Sequence, residues 1–183
     1  MNKSSVSDKF LSLLYVIGGG LGLLASLLLT IDKIRLLENP AVDLPCNISP
    51  LISCGSVMQT AQSSVLGFPN SLIGIAIFSG IMTIGFAMLA GGTFKKWLWH
   101  CLQLTLSLAI IFVFWLFYQS VFIIGSLCPY CVVVWIVTIP LFVYTTAYNY
   151  PQLKKPWVLL SLMYAVIVIA AVYEFWQYWS YLG

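Results

Sequence analysis

From Phe10 to Ile31 the chain runs for 22 residues without one charged side chain. A helix needs about 20 such residues to cross the hydrocarbon core of a bilayer. Four more segments meet the requirement: residues 70–92, 97–118 with an apolar extension to Leu127, 129–149 and 157–178. Only 7% of the residues are charged and 61% are hydrophobic, against about 25% charged in soluble domains. A chain this size has too little interior to hide that much apolar surface. The class is therefore an all-α integral membrane protein with five transmembrane helices, in a single domain over residues 1–183. The first segment is longer than the roughly 7–15 apolar residues of a signal peptide and lacks a small-x-small cleavage site, so it reads as a retained anchor.

The net charge of +3 is thinly spread and implies no nucleic-acid partner. It acts instead as a topology signal. Lys3, Lys9, Lys95, Lys96, Lys154 and Lys155 fall on one side of the membrane if all five segments cross, leaving only Lys33 and Arg35 opposite, partly offset by Asp32, Glu38 and Asp43. The positive-inside rule then places the N-terminus in the cytoplasm and the C-terminus outside; if the membrane is a bacterial inner membrane, that outer side is the periplasm. Trp176, Tyr178, Trp179 and Tyr181 read as an interfacial aromatic belt.

The outer side carries a long connection, residues 32–69, with Pro40, Pro45, Pro50 and Pro69. Connections this long in compact domains are usually functional or disordered. Within it, "SCGSVMQTAQSSVLGF" is suited to a short helix on the bilayer surface. The loop holds Cys46 and Cys54, and a second pair, Cys128 and Cys131, opens the fourth span as "CPYC". All four lie on the side where disulfides persist. Two structural staples, a four-cysteine metal site and redox chemistry are the open alternatives. A CxxC ring is too short to stabilise much by loop entropy, and the single histidine, His100, lies towards the other side.

CPYC at a helix start favours redox work. Pro129 suits the first helical position, where a missing N–H costs nothing. That makes Cys128 the N-cap and Cys131 the third helical residue, one turn apart. The helix N-terminus offers free N–H groups and partial positive charge, both of which favour a thiolate; burial opposes it. A dithiol beside lipid matches a lipid-soluble two-electron acceptor, a quinone. The loop pair stands where a soluble protein thiol can meet it.

These motifs resemble the vitamin K epoxide reductase family in its bacterial form. "CNISPLISCGSVMQT" resembles the family's loop pair with a hydroxyl residue six positions after the second cysteine, "GFPNSLIG" the start of its second helix, and "CPYC" its active-site pair. The resemblance covers roughly residues 10–150. It implies a four-helix bundle around a quinone site, with the fifth helix peripheral. It implies that Cys128 and Cys131 are the catalytic pair, Cys131 facing the quinone, and that Cys46 and Cys54 shuttle electrons from a thioredoxin-like protein. Thr60 falls where the family usually has serine. Asn70 falls where vertebrate members bond the quinone carbonyl, although an asparagine there also suits the N-cap of the second helix. Trp135 stands where those members have a tyrosine at the pocket, although a tryptophan there also suits ordinary lipid or core packing; the difference implies quinone reduction without the epoxide step. Many bacterial members carry a thioredoxin-like domain after the fifth helix; here the sequence ends at Gly183, so a periplasmic, DsbA-like partner is expected in trans. The acceptor is a quinone of the ubiquinone or menaquinone type.

A DsbB-like oxidase does the same job on another scaffold, with its cysteine pairs in the opposite order. A non-enzymatic membrane protein with stapled loops is the alternative from another class. Transporters usually show ionisable residues within their spans; here, cysteines aside, only His100 and Glu174 qualify, both near span ends. Cys101 reads as a small apolar filler, Gly18–Gly20 and Gly22 as a surface for close helix packing, and Pro140 as a kink whose freed carbonyl a neighbouring helix satisfies.

Overall fold

The structure is a computed structural model; it describes residues 6–182 other than residue 50, with side chains as far as Trp176. The elements in order are α1 (Asp8–Glu38), α2 (Cys54–Met58), a 3-10 turn (Ala61–Ser64), α3 (Ser71–Leu89), α4 (Lys96–Tyr118), a π-helical continuation (Gln119–Ile124), α5 (Pro129–Asn149) and α6 (Pro156–Leu182). Among the described residues, five helical stretches are long and apolar enough to cross a membrane: α1, α3, α4 with its continuation, α5 and α6. The protein is an all-α membrane protein.

Ser7 caps α1, its hydroxyl accepting from the Phe10 N–H at 3.2 Å. The helix passes through Asp32, Lys33 and Arg35 and stops at Glu38, so it does not end at Ile31, where the apolar run ends. Nothing between these points breaks a helix, and Asp32 and Arg35 pair one turn apart at 3.6 Å. The stop is Asn39, pushed to an extended conformation by the following Pro40. The connecting loop therefore begins at Asn39, and Asp32 and Lys33 are helical.

α1 packs along α3 and α5, and α4 packs along α5. The α1–α3 seam is close because glycines line it: a Cβ on Gly85 would lie 2.8 Å from the Cβ of Tyr15, and one on Gly19 would lie 2.9 Å from the Met82 nitrogen. Small residues let helix backbones approach in lipid, where contact and hydrogen bonding replace the hydrophobic drive. α3 and α4, in contrast, share no comparable seam.

α6 lies outside this bundle against α5, its apolar face exposed. Its anchor follows from Pro140. A proline inside a helix leaves the carbonyl four residues earlier without a donor, here Ile136. The Tyr164 hydroxyl of α6 donates to that carbonyl at 2.6 Å. Trp176 is exposed at the far end of α6; Tyr178, Trp179 and Tyr181, the rest of the expected belt, lie outside the described side chains.

Candidate functional site

The site begins with a backbone clamp. Leu127 donates its N–H to the Leu51 carbonyl at 2.8 Å, and the Ser53 N–H donates back to the Leu127 carbonyl at 3.1 Å. This parallel bridge between Ile52 and Leu127 ties the segment leading into Cys54 to the residue before Cys128. Ser53 then caps α2, accepting from the Ser56 N–H, while the Asn47 side-chain oxygen accepts from the Gly55 N–H and the Ser53 hydroxyl. Cys128 caps α5, with Pro129 in the first turn. Two helix starts are thus held side by side, each bearing a cysteine.

Cys46 and Cys54 form a disulfide, while Cys128 and Cys131 are free thiols. The Cys128 sulfur lies 3.4 Å from that of Cys54. Of the two loop cysteines, then, Cys54 is the one in contact with Cys128. Cys54 and Cys128 are 0% exposed and Cys46 is 4% exposed, enclosed by Leu36, Leu44 and Met58. The Cys128 thiol is held below its ordinary value. A hydrogen bond with the Cys131 side chain is the main cause, burial opposes it, and the backbone N–H groups of Cys131 and Tyr130 add to it. The backbone part is the effect of a helix N-terminus on a sulfur, and the charge of Asp32 works against it.

A cavity of about 640 Å3 opens beside the pair, lined by α1, α3, α4, α5 and the loop. It lies where α3 and α4 part. Cys128, Cys131 and Trp135 stand on its α5 wall, and Asn70 at the foot of α3. Trp135 is buried edge-on against Phe117, ring centres 5.3 Å apart. The Asn70 side chain does not cap α3. Its oxygen accepts from the Val65 N–H at 3.1 Å and its amide donates to the Gln62 carbonyl at 2.7 Å, which closes the loop onto the helix and leaves one amide hydrogen.

The structure does not bring Thr60 to the cavity wall. Its hydroxyl donates to the Val57 carbonyl at 2.7 Å, and the hydroxyl that the loop brings to the wall beside Gln62 is that of Ser63. Sequence reasoning also missed Lys33, the one charged residue among the described residues lining the cavity. Its ammonium donates to the Met58 carbonyl and, at 3.0 Å, to Ser63. A lysine spaced one helical turn from Leu29, another lining residue, was the available signal; it was spent on topology because the helix was expected to end before it.

A disulfide in sulfur contact with a CxxC dithiol, at the end of a membrane helix bundle, defines a membrane thiol–disulfide oxidoreductase. Vitamin K epoxide reductase family is the sequence family whose pattern matches, over residues 13–146. That is most of the chain and all four helices of the bundle, and the protein belongs to that family. No curated protein matches the chain. Membership sets aside the DsbB-like scaffold, and the free CxxC thiols do not fit a pair of permanent staples.

Proposed function

We propose that the protein oxidises a thioredoxin-like dithiol protein and passes the electrons through Cys46, Cys54, Cys128 and Cys131 to a quinone, supporting disulfide formation. The observation that carries this is the 3.4 Å contact between Cys54 and Cys128, with Cys128 and Cys131 on the wall of the apolar cavity. A thiolate of the partner attacks Cys46, the less enclosed loop sulfur, and Cys54 leaves. The partner's second thiol resolves the mixed disulfide, and the partner departs oxidised. Cys54 attacks Cys128, and Cys131 is released facing the cavity. Cys46 then closes on Cys54, freeing Cys128. An electron pair passes to the quinone as Cys128 and Cys131 re-form their disulfide, and two protons complete the quinol. Each sulfur step is ordinary thiol–disulfide exchange. The observed state, loop oxidised and CxxC reduced, is the one with both electrons at the cavity.

In this reading the ring lies against Cys131 and Trp135, with the remaining Asn70 amide hydrogen offered to a quinone oxygen. The cysteine end faces the periplasm of a bacterial inner membrane. What supports that orientation is the gathering of Lys9, Lys95, Lys96, Lys154 and Lys155 at the other end of the bundle. The test is quinone reduction by the purified protein supplied with a reduced DsbA-like protein. Cys46→Ala and Cys128→Ala are each expected to abolish it; full activity in both sinks the relay.

A further inference from the structure

α1 carries a carboxylate into the sulfur cluster. Asp32 is 4% exposed, and its Oδ2 lies 3.8 Å from the Cys46 sulfur. Its Oδ1 faces the Arg35 guanidinium at 3.6 Å, and that guanidinium is 57% exposed. A solvated pair one turn apart on a helix is worth only a few tenths of a kcal/mol and does not require its acid to be enclosed. Burying a carboxylate is costly unless a partner meets it. While Cys46 is bonded to Cys54 its sulfur has no hydrogen to offer. In the dithiol state it has one, and the carboxylate is the polar group in contact with it.

The relay contains a step that needs such a group. Cys46 must lose its proton to attack Cys54, and it sits among Leu36, Leu44 and Met58, where a thiol gives up its proton reluctantly. We propose that Asp32 is the general base that deprotonates Cys46 when the loop disulfide closes. The Cys46–Cys54 bond forms and the Cys54–Cys128 bond breaks. The Cys46 proton passes to the Asp32 carboxylate, and Cys128 leaves as a thiolate with the electron pair of the broken bond. No external oxidant or reductant takes part. Asp32 returns its proton to water on the Arg35 side. The groups that face Asp32 are Arg35 on its own helix, Cys46 on the loop, and Cys128 and Tyr130 at the start of α5, both of which feel its charge. The observed structure is the product of this step, with the base still beside the sulfur it served.

The proposal rests on the relay, so the experiment separates the two. The full-length protein is reduced with dithiothreitol, mixed with a short-chain ubiquinone and quenched in acid at intervals; the Cys54–Cys128 linkage is quantified by mass spectrometry of non-reduced peptides. Cys46→Ser is expected to accumulate that linkage, which only re-attack by Cys131 can then open. Asp32→Asn, nearly isosteric, is expected to form it normally and resolve it at least about tenfold more slowly near pH 7, the low end of what a lost general base costs. Wild-type resolution should vary little between about pH 6 and 8, whereas the variant should gain roughly tenfold per unit and converge on wild type at high pH, since only a thiol ionised by solvent then reacts. Asp32→Glu should recover part of the rate. A merely structural aspartate predicts equal slowing at every pH, and that result overturns the proposal, as does a wild-type rate in Asp32→Asn. Absence of the linkage in Cys46→Ser overturns the relay and the base together.

Discussion

The two ends of the bundle are built on opposite terms. At the end away from the cysteines, polar side chains bind helices to one another. The Tyr15 hydroxyl of α1 meets Thr145 of α5 at 2.6 Å. Because the Thr145 hydrogen goes to the Leu141 carbonyl, Tyr15 is the donor. Gln103 of α4 donates to Thr146 at 2.9 Å, and Asn149 reaches the Trp99 carbonyl and Gln103. At the cysteine end the helices splay around a cavity; beside one bond from Thr30 of α1 to Ser71 of α3 at 2.8 Å, what bridges them is a loop, a backbone clamp and sulfur. The first end is closed by bonds that need not change. The second holds bonds that must exchange, so its enclosure comes from apolar side chains and its rigidity from Leu127 pairing with Leu51 and Ser53.

Substitutions at the two ends should therefore divide between catalysis and stability. The largest effect belongs to Cys131→Ser, expected to take quinone reduction to background while leaving the melting temperature in detergent near wild type; with no Cys128–Cys131 disulfide for Cys54 to attack, non-reducing peptide maps should show the loop pair closed and Cys128 as a thiol. Trp135→Ala comes next. It removes a buried indole from the cavity wall, at a cost of about 3–5 kcal/mol in stability, and should raise the KM for quinone. Denaturant unfolding and steady-state kinetics together check it. Gly85→Leu tests the seam that both ends share. The side chain meets Tyr15, and overpacking of about 1–3 kcal/mol should lower the folded yield with kcat per folded molecule little changed.

Tyr15→Phe is the matching change at the closed end. It should cost on the order of 0.6 kcal/mol, and at most about 1.7, as interhelical hydrogen bonds in membranes do, without moving KM. If Tyr15→Phe altered quinone kinetics as much as Trp135→Ala, the division between the ends would not hold. The smallest effect is expected from Tyr164→Phe. It frees the Ile136 carbonyl and should loosen α6 by roughly 1 kcal/mol or less, read as faster proteolysis of α6 at unchanged activity.

Much of this was legible in the chain. Hydropathy over 20 residues finds spans because lipid imposes one length on every crossing helix. Cys128 at the N-cap followed by Pro129 is local chemistry, so "CPYC" could be placed to the residue. The glycines of α1 and the re-satisfied carbonyl behind Pro140 were readable for the same reason. Other features were not. Where α1 ends depends on a breaker at Asn39–Pro40 and not on the loss of hydrophobicity at Asp32, so Asp32 and Lys33 were counted as loop charges when they face the sulfurs and the cavity. Thr60 sits at a promising spacing from Cys54, but spacing does not say which way a hydroxyl turns, and here it turns to the Val57 carbonyl.

The sequence by itself determined a five-span helical membrane protein with two cysteine pairs on one side, because span length, charge asymmetry and helix capping act over a few neighbouring residues. It left Cys46 and Cys54 equivalent. Only the tertiary structure chose between them. The pairing of Leu127 with Leu51 and Ser53 joins segments 74 residues apart, and it is this long-range clamp that sets Cys54 against Cys128 and leaves Cys46 beside the carboxylate of Asp32.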